Sequence, residues 1–168
     1  MNIVVLTPEA ASGLADLAAA SEDGLETGGI LLGDDHGLAG PILVRHCGGP
    51  GPGAIRRSAF FRRDTDYAAA LAAEAAATDG SAWIGEWHIH GVALPEPSGR
   101  DLRTYRKLLE DPELAFARFL ALIVTAGREL GWRMPLVHAW SFTGNVLRRL
   151  DMRIASAAEC AAIKEAAE

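Results

Sequence analysis

Cysteine is scarce: the 168 residues hold two, Cys47 and Cys160, far apart and with no CxxC pair. That excludes a disulfide scaffold and a cysteine-rich zinc finger. Lysine is scarce beside arginine, a bias we read as genomic base composition and not as function. Positive charge is also short, with 16 basic against 22 acidic residues and a net charge of −6. A general nucleic-acid binder needs a basic surface to displace counterions, so that class is disfavoured. No run approaches the roughly 18 apolar residues of a membrane-spanning helix. The stretch Met1-Asn2-Ile3-Val4-Val5-Leu6 lacks the basic flank and small-residue cleavage site of a secretion signal. We therefore expect a soluble, cytoplasmic chain. What is present is ordinary for a globular domain: 49% hydrophobic and 23% charged residues, in a length that fits one core.

Along the chain, residues 2–6 read as a first strand. Thr7-Pro8-Glu9 opens a helix, with Thr as N-cap and Pro in the first turn, that runs to about Ala20. Thr27 to Gly33 and Pro41 to His46 read as a hairpin turning at Asp34-Asp35-His36-Gly37. The stretch Cys47 to Ala54 is CGGPGPGA, too rich in Gly and Pro for regular structure, and is expected to be a mobile loop or a flap over a site. Arg56 to Phe61 reads as a strand, and Asp64 caps an alanine-rich helix ended by Asp79-Gly80. Ala82 to His90 is a strand, Gly91 to Pro97 a loop, and Ser98 the N-cap of a helix to about Leu109. Phe116 to Thr125, Leu136 to Phe142 and Val146 to Ile154 read as strands, and a helix closes the chain. The order is that of an α+β fold, a mixed sheet with helices packed beside it, and not a βαβ alternation.

Chemistry concentrates between Trp83 and Asp101, WIGEWHIHGVALPEPSGRD. Alternate side chains of a strand share a face, so Glu86, His88 and His90 point one way and Trp83, Gly85, Trp87 and Ile89 the other. Two imidazoles two residues apart at a strand end suit a metal ion. Asp101, one turn into the following helix, can fold back as a third ligand. Two His and one carboxylate with an open fourth position is a catalytic zinc arrangement and not a closed structural one. A His pair alone is often just a polar strand face, but His88-x-His90-x7-Ser98-x2-Asp101 fixes four positions by type and distance.

That spacing resembles the JAMM motif of the MPN+ metalloproteases, zinc enzymes that remove ubiquitin or ubiquitin-like proteins from conjugates. The family's upstream acid and glycine-containing strand are matched by Glu26-Thr27-Gly28-Gly29-Ile30-Leu31-Leu32-Gly33. Gly85-Glu86-Trp87-His88 is similar to the bacterial stand-alone branch. The resemblance covers roughly residues 2–150. It implies an MPN-type, cytidine-deaminase-like fold over residues 1–154, with residues 155–168 as a C-terminal helix on or beside the same domain. It further implies one Zn2+ per chain on His88, His90 and Asp101, Glu26 as general base and then acid, and Ser98 as hydrogen-bond donor to the oxyanion. The implied partner is a ubiquitin-like or sulfur-carrier protein with a Gly-Gly tail, with E1- or E2-like proteins in its pathway and no nucleic acid or membrane. Two departures stand out: Gly91 where the family has Pro, and Ile89 where it has a small hydroxyl residue. Neither is a ligand.

Alternatives remain open at this level. Glu86 shares the histidine face and rivals Glu26 as base, or orients a His N–H. The chain could trim a sulfur-carrier precursor, or be a non-catalytic MPN scaffold. His36 reads as solvated, and His46 and His138 as packed or hydrogen-bonded. Cys47 is only a weak nucleophile candidate. The four Trp and the pair Phe60-Phe61 read mostly as core, and the arginine pairs 56-57, 62-63 and 148-149 as solvated faces able to meet an acidic partner. Substrate is expected to add a strand at an exposed sheet edge bordered by Gly48 to Gly53 or by Gly91 to Pro97.

Overall fold

The computed structural model describes residues 3–21, 23–90, 94–125 and 136–165, by backbone alone at 163 and 164. Asn2, Gly91, Trp132 and residues 166–168, where a closing helix was expected, lie outside the described residues. The elements are β1 (Ile3–Leu6), α1 (Pro8–Ala19), β2 (Thr27–Asp35), β3 (Ile42–Cys47), β4 (Ile55–Arg57), β5 (Phe60–Arg62), α2 (Thr65–Asp79), β6 (Ala82–Ile89), α3 (Gly99–Glu110), β7 (Phe119–Thr125), β8 (Leu136–Thr143), β9 (Val146–Ile154) and α4 (Ala157–Glu165). The order matches the α+β expectation. The sheet goes further and closes on itself in the order β1-β3-β2-β6-β7-β8-β9, sealed by parallel pairing of β1 with β9. Closure leaves the main sheet no free edge. β4 and β5 form a separate two-stranded hairpin.

β7 shows why the sheet sits where it does. All seven of its residues are buried, as a strand covered on both faces must be. Leu120, Leu122 and Val124 join Val4, Leu31, Val44, Trp87 and Leu14 of α1 in one cluster. Phe119, Ala121 and Ile123 face the other way, onto Tyr105 of α3 with Trp140 and Phe142. α2 covers Ile30 and Leu32 of β2 through Ala68 and Ala75. At the chain end, Ala155 is buried with Val5 and Leu43, and Cys160 of α4 packs against them.

Four local expectations are corrected. The strand expected at 56–61 is split by a turn at Ser58-Ala59, with Arg57 opposite Phe60. β2 runs on through Asp34 and Asp35 because Arg45 and Arg118 pair with their carboxylates, so the turn falls later. Trp83 does not share the face of Trp87. Ile84 is an extra residue between the pairs Leu32–Trp83 and Leu31–Gly85, and this bulge turns Trp83 to the Glu86 side while Ile84 enters the core. The Gly/Pro stretch is held in place. Gly48 N–H donates to the Ile30 carbonyl at 2.9 Å, and the buried Trp87 indole donates to the Gly48 carbonyl at 2.8 Å. Further along, Asp64 N–H donates to Pro50 O, and Asp64 accepts from Gly53 N–H. A buried indole N–H demands an acceptor, and this loop supplies it.

Candidate metal centre

β6 delivers two imidazoles to one spot. His88 lies on the strand and His90 just past its end, both buried on the same face. β2 runs antiparallel beside it, with Gly28 opposite His88. A Cβ at Gly28 would lie 2.3 Å from the Trp87 carbonyl and 2.7 Å from His88 Cβ, and one at Gly29 would meet the Gly48 carbonyl. Only glycine lets β2 lie that close. The two glycines therefore seat the start of β2, and Glu26, two residues ahead of Gly28, arrives beside the strand that carries the imidazoles. Its N–H donates to Arg57 O of the β4–β5 hairpin at 2.8 Å, and its charge acts on His88.

The third arm comes from α3. Ser98 is the N-cap and Asp101 the N3 residue, and they cap each other. Asp101 N–H donates to Ser98 Oγ at 3.3 Å, and Ser98 N–H donates to Asp101 Oδ2 at 2.6 Å. The same Oδ2 lies 3.3 Å from His90 Nε2 and 3.5 Å from His88 Nε2. All three ligand atoms fall within 4.8 Å of one another. His90 Nδ1 donates to the Leu94 carbonyl at 3.0 Å. A carbonyl can only accept, so that bond places a proton on Nδ1 and makes Nε2, on the cluster side, the nitrogen able to offer a lone pair to a metal.

This donor set fits a zinc-like ion. A tetrahedral site with bonds of about 2.0–2.1 Å has ligand-to-ligand edges near 3.4 Å. The two edges measured to Asp101 are 3.3 and 3.5 Å. The electrostatics agree. Burial works against charging His88, yet Asp101, then Glu86 and Glu26, outweigh it and raise its pKa. Burial works upward on Asp101, and the two imidazoles overcome it and hold its carboxyl far below the usual range. Anionic and neutral donors gathered around one point make a place for a cation.

The structure thus brings together His88, His90, Asp101, Ser98 and Glu26. Glu86 lies close enough for its charge to act on His88, but its hydrogen bond goes elsewhere. Its Oε2 accepts from Arg63 Nη1 at 2.9 Å, and no imidazole bonds to it among the described residues. Burial pushes its carboxyl pKa up, with the His88 and Arg63 charges pulling the other way. Arg63 also lies over the Trp83 ring at 4.9 Å, so the bulge at Ile84 builds this pair. Arg63 was read as part of a solvated pair, and its partner lies 23 residues away with no sequence signal to join them. The Leu94 carbonyl was equally invisible, being backbone. Trp140, expected in the core, donates from Nε1 to Pro95 O at 2.8 Å and so holds the loop that leads into Ser98. His36 is exposed, His46 pairs with Asp79 at 2.7 Å, and His138 bonds Thr125, as expected of non-ligand histidines. Cys47 is no nucleophile: burial pushes its thiol pKa up to about 12.

Residues 11–142 match the family of prokaryotic homologs of the JAB domain, Prok-JAB. The chain belongs to that family. A Prok-JAB assignment fits the JAMM-like spacing and the MPN-type fold it implied. "Probable metalloprotease y4qB" of Sinorhizobium fredii (strain NBRC 101917 / NGR234) is 32% identical over 130 residues, 74% of each protein. The solution structure of protein DSY2949 from Desulfitobacterium hafniense has the same fold, with a TM-score of 0.62 over 91% of this chain and 93% of that one at 18% identity. Among the described residues no helix is long and apolar enough to cross a membrane.

Proposed function

We propose that this Prok-JAB chain is a zinc-dependent peptidase that hydrolyses the amide or isopeptide bond after the C-terminal glycine of a ubiquitin-like protein in the cytoplasm. One observation carries the reading: Nε2 of His88, Nε2 of His90 and Oδ2 of Asp101 converge, with Glu26 and the Ser98 hydroxyl alongside. Zinc bound there would supply Lewis acidity, making a water nucleophilic near neutral pH. Glu26 would take a proton from the water that attacks the carbonyl carbon and return it to the departing amine nitrogen. Ser98 is exposed, and its Oγ already accepts from Asp101 N–H, so its own O–H hydrogen is free to donate to the carbonyl oxygen as charge develops there. Glu86 is committed to Arg63, which leaves Glu26 as the better base.

The substrate tail would lie extended. Since the main sheet is closed, strand addition falls to the β4–β5 hairpin, whose Arg57 already binds the backbone at Glu26. Deconjugation and trimming of a sulfur-carrier precursor are the same reaction with different leaving groups, and the reading covers both. The test is incubation of the zinc-loaded protein with ubiquitin-like fusions from its own genome, read by mass spectrometry. Release of a species ending in Gly-Gly by the natural chain but not by Glu26→Gln is expected. Intact fusions throughout would leave a non-catalytic scaffold in place of an enzyme.

A further inference from the structure

The chain carries an excess of acid, yet two short segments that pass beside the candidate metal centre are rich in cations, with Arg106 of the second reaching away to Asn145. Residues 55–63 hold four arginines and no acid. Residues 99–107 hold Arg100, Arg103, Arg106 and Lys107, with Asp101 as their one acid, and Asp101 is turned to the imidazoles. Half of the 16 basic residues thus fall in these two short segments of a chain with net charge −6.

The hairpin register sorts these charges. Cross-strand partners share a face, so Ile55, Arg57, Phe60 and Arg62 lie on one face and Arg56 and Phe61 on the other. The second face is turned inward: Phe61 packs beside Gly28, and Arg56 is held in a two-pronged pair by Asp23 at 2.9 Å. The first face has no such partner. Arg57 and Arg62 are exposed, and no carboxylate among the described residues pairs with either. Arg100 joins them from α3. Its Nη1 donates to Ala59 O at 3.3 Å, and its guanidinium lies 5.3 Å over the Phe60 ring. Arg100 is two residues from Ser98, so this platform of three guanidinia around an aromatic ring borders the centre.

We propose that this face receives acidic side chains of the substrate protein adjoining its Gly-Gly tail, which rests on the peptidase reading above. Charge of one sign around a cleft, on a body of the opposite sign, steers an oppositely charged partner to one place and repels it from the rest. Guanidinia suit carboxylates, which they grip with two parallel N–H donors. A nucleic acid carries a continuous line of phosphates and would meet the acidic remainder of the chain, whereas a short acidic stretch beside a tail need touch only this face, which favours a protein partner.

The experiment uses two peptides of equal length, both ending in Gly-Gly joined to a C-terminal aminocoumarin. One carries glutamates upstream of the tail and the other glutamines. With the zinc-loaded full chain at low salt, the acidic peptide should show a KM about tenfold lower, with the gap closing as salt is raised to about 0.5 M. The combined variant Arg57→Gln, Arg62→Gln and Arg100→Gln should erase the difference between the peptides, and Arg100→Lys should keep it. Arg148→Gln, on β9, changes net charge equally to a single platform variant and should leave the preference intact. Should neither peptide be cleaved, the peptidase reading fails, and fluorescence anisotropy of the labelled peptides still tests the platform by binding. Equal affinity for both peptides, a preference that survives the triple variant, or tighter binding of a single-stranded oligonucleotide of matched charge would overturn it.

Discussion

Two of the buried charged clusters among the described residues are built on opposite principles. At one, Arg118, 3% exposed, grips Asp35 with Nε and Nη2 at 2.7–3.1 Å and spends a further bond on the Gly40 carbonyl. Nε is shared between the two carboxylate oxygens and Nη2 between Oδ1 and the carbonyl, so one guanidinium answers both oxygens of the acid. At the other, two imidazole nitrogens and a backbone N–H crowd a single oxygen of Asp101, with Glu26 near by. The first cluster is closed and holds β2 to the start of β7. The second is directed at a point between its own members. Burial and charge alone do not mark a functional site; surplus electron pairs aimed at one place do.

The predictions separate the two clusters, beginning with the directed one. Asp101→Asn keeps an oxygen to accept the Ser98 N–H, so the cap on α3 stays, while the anionic ligand is lost. It and His90→Ala should reduce metal affinity by more than the roughly 10–100-fold expected of an outer partner. Elemental analysis would show empty protein and no turnover, and full occupancy in either variant would break the assignment.

Glu26→Gln should keep the metal and the fold and lose about 10²–10⁴-fold in kcat. Glu86→Gln should lose much less, because its carboxylate already serves Arg63. A reversed order of the two would move the base to Glu86. Arg118→Met should do the opposite of Glu26→Gln. It strands Asp35 without a partner and should cost about 3 kcal/mol of unfolding free energy, the low end for a broken buried pair because Asp35 keeps some water. The kcat of the folded fraction should not move, as denaturant melts paired with kinetics would show.

Ser98→Ala blends both characters. It removes the cap acceptor, at about 1 kcal/mol, and the oxyanion donor, at roughly 10²-fold or more in kcat. A loss confined to stability would make Ser98 purely structural. The smallest effect is expected at Cys47, which belongs to neither cluster. With its thiol pKa near 12 it stays protonated at neutral pH, so alkylation should need unfolding, and Cys47→Ala should leave turnover unchanged.

The sequence displayed the directed cluster far better than the closed one. His88 and His90 share a face by strand alternation, and Ser98 and Asp101 share a helix turn by capping chemistry, so local periodicity brings four of the five residues within view. Glu26 was legible through the motif, and its physical reason, the glycines that seat β2 on β6, needed coordinates. The pairs Arg118–Asp35 and Arg63–Glu86 span 83 and 23 residues, distances at which no periodic signal survives. Strand existence read well because the apolar runs are long. The barrel's closure did not, since pairing of β1 with β9 joins the two ends of the chain. The bulge at Ile84 was hidden because an inserted residue leaves composition unchanged while reversing the face of what precedes it.

The closed sheet has a consequence for how this protein behaves in a crowded solution. A strand edge invites any other extended chain, including a second copy of the same protein, and is a usual starting point for aggregation. Here the seven-stranded sheet offers none, and the described strand edges left without a neighbouring strand belong to the three-residue strands of the β4–β5 hairpin. Those strands carry arginines, which discourage self-stacking by repulsion of like charge. Among the described strands, the open backbone edge is a short, charged strip, so colloidal stability and the choice of docking partner fall to the same few residues.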